Sequence, residues 1–64
     1  MTTSLDDLPK VGAPATRALH AAGYATLSQL AGVSREDLAG LHGVGPKALA
    51  IIEAALAEHR LALR

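Results

Sequence analysis

Apolar residues return every three or four positions through two stretches of this chain, and each stretch begins just after a glycine turn. Around residues 14–22 the recurring positions are Ala15, Ala18, Leu19 and Ala22. After Pro46 they are Ala48, Ile51, Ile52, Ala55, Leu56, His59 and Leu63. A period near 3.6 predicts a helix with one buried stripe in each stretch, the first running to about Ala22 and the second to about Leu63. Thr16, Arg17 and His20 fall outside the first stripe; Lys47, Glu53, Glu58 and Arg60 fall outside the second. Leu61 also lies on the polar side of the last helix, which predicts either fraying there or a contact with something beyond this domain.

Capping and breaking residues divide the rest of the chain. Ser4 is placed to cap a short helix over residues 5–8, with Asp6 and Asp7 near the positive end of its dipole and Pro9 ending it. Pro14 suits the first turn of the next helix, where a missing N–H costs little, and Gly23 stops it. Thr26 caps a connecting helix that Gly32 closes, so structure rather than a loose linker joins the two halves. Ser34 followed by Asp37 resembles a capping box and starts a helix expected to reach Leu41. Strand alternation and low-complexity runs are absent from the sequence. The expectation is an all-α, compact, four- to five-helix domain over residues 1–64, with hairpin one at about 5–22, the connecting helix at about 26–31 and hairpin two at about 34–63.

The two turns repeat each other. Aligning Val11 with Val44 also aligns Leu8 with Leu41, Gly12 with Gly45, Ala15 with Ala48, Ala18 with Ile51, Leu19 with Ile52 and Ala22 with Ala55. One helix-turn-helix unit is thus expected to occur twice.

Composition limits what such a fold can be. Hydrophobic residues make up 50% of the 64 and aromatics only 2%, so the core is expected to be aliphatic. A domain of this size buries only roughly 60% of its unfolded surface, and without cysteine no disulfide can add stability. The apolar runs are broken by Lys, Glu or His before a bilayer-spanning length, and Met1-Thr2-Thr3-Ser4 lacks the basic and apolar regions of a signal peptide. A soluble protein is expected, with no membrane association, the cytoplasm as default location and a monomer as default state. The formal charge of zero argues against a strongly electrostatic nucleic-acid binder, but its placement qualifies this. Asp6, Asp7, Glu36 and Asp37 sit at helix starts, whereas residues 8–33 carry only Lys10 and Arg17, and residues 38–52 only Lys47.

Chemistry concentrates at the turns. In Leu41-His42-Gly43-Val44-Gly45 the glycines permit backbone angles and approaches closed to other residues, and Val44 is expected to plug the space between helices. The amides of Gly43, Val44 and Gly45 then lie near the start of the following helix, where unpaired N–H groups and the dipole suit an anion such as phosphate. Lys47 adds a mobile positive charge beside them, and His42 is the one histidine placed to reach a phosphate.

The run from Leu41 to Ala48 resembles the helix-hairpin-helix DNA-binding motif, in which apolar-x-Gly-apolar-Gly-x-x-Ala recurs. The whole chain is similar in plan to a tandem pair of such motifs with a SAM-like fold, as in repair-protein modules and the carboxy-terminal domain of the bacterial RNA polymerase alpha subunit. That resemblance implies binding to the backbone of double-stranded DNA from the minor-groove side, without base reading, with Gly43, Val44, Gly45 and Lys47 as phosphate contacts. Hairpin one departs from the pattern: Lys10 replaces the first glycine, and Pro14 stands where hairpin two has Lys47. Lys10, Val11, Gly12 and Arg17 are its candidate contacts; the alternative is that this copy is mainly structural.

Two readings of function follow. The first is sequence-nonspecific DNA binding, weak and salt-dependent. The second is a protein-interaction or scaffold module docking through Ala50, Ala54, Ala57 and Leu61. Pro46-Lys47-Ala48-Leu49 offers no Arg, Asn or Gln to base edges, which disfavours a base-reading helix. His20, His42 and His59 are too scattered for a metal site, one Tyr makes no stacking platform, and no catalytic constellation is found. No enzyme activity and no cofactor are expected.

Overall fold

The computed structural model describes residues 4–64, so the leader reading of Met1, Thr2 and Thr3 concerns residues outside it. Three α-helices, α1 (Ala13–Ala21), α2 (Arg35–Ala39) and α3 (Pro46–Glu58), and one 3-10 helix (Leu27–Leu30) form its regular structure. That is fewer α-helices than the four or five expected, and the described residues include no strand.

The missing helix is the first. Residues 5–7 form a turn in which the Asp7 N–H donates to the Ser4 carbonyl and the Asp6 N–H to Ser4 Oγ. Leu8 precedes Pro9 and is therefore disfavoured in the helical region, which leaves too few residues for a helix nucleus. The turn's carbonyls serve elsewhere: Leu5 accepts from the Ser28 N–H and Asp7 from the Leu27 N–H. The amino-terminal turn thus satisfies the open end of the 3-10 helix. Gln29 assists there, its Oε1 accepting from the N–H groups of Ala25 and Thr26.

Helix α1 ends as expected. Gly23 lies at φ 96°, the Tyr24 N–H reaches back to the Leu19 carbonyl and the Gly23 N–H to that of His20, which together make a Schellman cap. Tyr24 packs against the core beside this cap. Ala22 is exposed and not part of the buried stripe, because the helix has already closed at Ala21. Ser34 caps α2 as the sequence suggests, its Oγ accepting from the Asp37 N–H. Helix α2 stops at Ala39, short of Leu41, with Gly40 as its carboxy-terminal cap.

Helix α3 also ends earlier than its pattern indicates, at Glu58 instead of Leu63. Arg60 takes φ 58°, and Leu61 donates back to the Leu56 carbonyl. Leu61 and Leu63 then pack against the chain's own core, so Leu61 neither frays nor points away from the domain. Side chains from every helix meet in one aliphatic cluster in which Leu19, Leu27, Leu30, Leu38, Ile52 and Leu56 are fully buried. Each contributes about 1.5–3 kcal/mol by leaving water. Helix α3 is the shared wall: it packs on both α2 and the 3-10 helix, and its amino terminus carries the second glycine turn.

Candidate nucleic-acid interface

In the second turn, the Val44 N–H donates to the Leu41 carbonyl at 3.1 Å. This closes a β-turn whose third residue, Gly43, sits at φ 100°, a conformation that all but requires glycine. A Cβ on Gly43 would also lie 2.8 Å from the Pro14 carbonyl oxygen. Gly43 is therefore demanded twice, by its own backbone and by the approach of α1. Val44 is 6% exposed and fills the interior, as the sequence indicates. Its N–H is consumed inside the turn, so Val44 drops out of the set of open donors.

Gly45 is different. Its φ of −96° and ψ of −179° are open to any residue, and a Cβ built there meets nothing within 4 Å. It occupies the N-cap of α3, where Ser, Thr, Asp or Asn would supply a capping oxygen. With glycine there, no side chain caps the helix, and Pro46 at its first position has no N–H to satisfy. The N–H groups of Gly43, Gly45, Lys47 and Ala48 find no acceptor among the described residues. Gly43, Gly45, Lys47 and His42 are all exposed, so three open amides, a lysine and a histidine share this rim.

Hairpin one does not repeat this geometry. Lys10 occupies the place of Gly43 but does not take a positive φ, and Val11 makes no turn bond to Leu8. The left-handed residue is instead Gly12, at φ 92°, which caps α1 directly. The N–H groups of Lys10, Val11, Gly12 and Ala13 have no acceptor among the described residues. Lys10, Gly12 and Arg17 are exposed and Val11 is half-buried. The duplication seen in sequence is thus one of helices and core positions, with two different turns in front of them. The contact of Gly43 with Pro14 still brings the second turn against the first turn of α1, so the two hairpins adjoin.

Nothing among the described residues groups three or more His, Asp or Glu side chains as a metal site would, and no helix among them is long and apolar enough to cross a membrane. The family model described as a SAM-like helix-hairpin-helix tandem matches residues 3–58. No curated protein and no solved structure matches the chain.

Proposed function

The chain belongs to the SAM-like helix-hairpin-helix tandem family, whose members are generally nucleic-acid binding, and on that premise we propose that it binds the phosphate backbone of double-stranded DNA without reading sequence. Gly45 carries the proposal. A residue with permissive angles, open space around it and a cap position that Ser, Asp or Asn would fill somewhat better is not held to glycine by this fold's own backbone or packing. A partner that must approach the main chain closely supplies a reason for glycine. Gly43, Gly45 and Lys47 then offer N–H groups to one phosphate at the amino terminus of α3, and the Lys47 ammonium adds charge. Lys10, Gly12 and Arg17 on the adjoining hairpin serve a second phosphate, and His42 borders the first.

This arrangement binds as a clamp and performs no chemistry, from the minor-groove side that suits paired hairpins. With two to four phosphates engaged, the slope of log K against log salt is about −2 to −4, and the dissociation constant is on the order of 10⁻⁴ to 10⁻⁶ M. Titration of a labelled duplex at two salt concentrations tests the reading, with Gly45→Asp and Lys47→Glu as controls. Binding indifferent to both substitutions would reject the site.

A scaffold role through Ala50, Ala54 and Ala57 remains the second reading. All three are exposed on α3, and the zero net charge favours it. A salt-independent complex with a protein partner would support it over the first.

A further inference from the structure

Beyond the residues that match the family, the chain does something its sequence pattern does not suggest. Residues 59–64 leave α3 and run parallel to the connector between the 3-10 helix and α2. The Gly32 N–H donates to the Ala62 carbonyl at 3.0 Å, the Arg64 N–H to that of Val33 at 2.9 Å, and the Arg35 N–H to that of Arg64 at 3.1 Å. Arg35 is held from both sides, because its Nε also donates to Glu53 Oε1 on α3 at 2.6 Å.

We propose that residues 59–64 are a two-state strap, docked on the connector as described and, when released, continuing α3 as helix. Three independent features support this. First, the segment contains no Gly or Pro, and its Arg, Leu and Ala are among the better helix formers. Second, the docked state requires Arg60 to stand at φ 58°, the C′ position of a Schellman cap that α1 fills with Gly23. The same motif therefore carries a glycine at one helix and a strained arginine at the other. Third, the strap does not lie flush on α3: a cleft of about 320 Å³ remains between them, lined by Arg35, Glu53, Ala57 and residues 61–64.

The two states trade one set of interactions for another. Docking secures the three main-chain bonds and packs Leu61 and Leu63 against the core. Release relieves Arg60 and adds helical hydrogen bonds, and it places Leu63 on the face of Leu56, seven residues before it, so that only Leu61 gives up its core contact. The docked strap thereby ties the connector between the hairpins to the carboxy-terminal side of α3.

Amide exchange and ¹³Cα shifts on the full chain test the device. Arg60→Gly removes the left-handed penalty and weakens the helical alternative, so exchange at Gly32, Arg35 and Arg64 is expected to slow about fivefold. Unchanged or faster exchange there would overturn the proposal. Leu61→Glu removes a contact made only in the docked state, and residues 59–64 should then take helical ¹³Cα shifts. Random-coil shifts would show a tail that merely frays and would equally overturn it.

Discussion

The α-carbon of Gly43 faces the main-chain oxygen of Pro14 so closely that a side-chain carbon added to it would stand 2.8 Å away. This contact locks the turn of hairpin two onto the first turn of α1. Since the oxygen belongs to backbone, it cannot rotate aside as a flexible side chain would. Gly43→Ala is expected to cost about 2–5 kcal/mol, from the left-handed φ and the clash together. In a domain this small the melting temperature falls by about 8 °C or more, measured by circular dichroism. An unchanged melting temperature would show that the turn does not depend on this approach.

Gly45 behaves in the opposite way. Gly45→Asp places a capping carboxylate at the amino terminus of α3, where the conformation and the space both accept it, so stability rises by about 0.3–1 kcal/mol. The same carboxylate occupies the place assigned to phosphate, and duplex affinity should fall at least about tenfold. A variant that melts higher and binds worse separates function from folding in one residue. Equal affinity in the variant would remove Gly45 from the interface.

Lys47 is exposed and makes no ion pair among the described residues, so replacing it should leave the fold intact and test the proposed phosphate contact by itself. Lys47→Ala should reduce the magnitude of the salt slope by about 0.9 and leave stability within about 0.5 kcal/mol of the parent. A slope that does not change would mean that this ammonium meets no phosphate.

Leu38, the one fully buried residue of α2, packs in the same core as Ile52 and Leu56 of α3. Leu38→Ala is expected to cost about 2–5 kcal/mol. A domain of this size holds only about 3–10 kcal/mol in total, so much of the protein should unfold near room temperature. Denaturant titration measures this, and a loss under about 1 kcal/mol would contradict the central place given to the α2–α3 contact.

What could be read from the chain alone divides along physical lines. Much of the core was legible because periodicity records burial: Ala15, Leu19, Ala48, Ile52, Ala55 and Leu56 lie where the 3.6 repeat puts them, whereas Leu49, off that stripe, is buried as well and Ile51, on it, is half-buried. Val44, Gly23 and the Ser34 cap followed from turn and capping chemistry, which is local. The failures come from contacts distant in sequence. Leu5 and Asp7 give their carbonyls to the 3-10 helix, and residues 59–64 pair with the connector, and no local pattern announces either. Arg60 is the hardest case, since a non-glycine residue at positive φ leaves no mark in the sequence. The difference between the two turns was half visible: Lys10 cannot replace a left-handed Gly43 cheaply, yet only the fold shows that the positive φ of hairpin one falls on Gly12 instead.

The most direct test of the account is a backbone amide shift map of the full chain titrated with a short duplex. The expected result is a perturbed patch at residues 43–47, with weaker shifts at residues 10–13 and little change at Glu58 or His59. A map centred on Ala50, Ala54 and Ala57, with the turn amides unmoved, would contradict phosphate binding at the glycine rim.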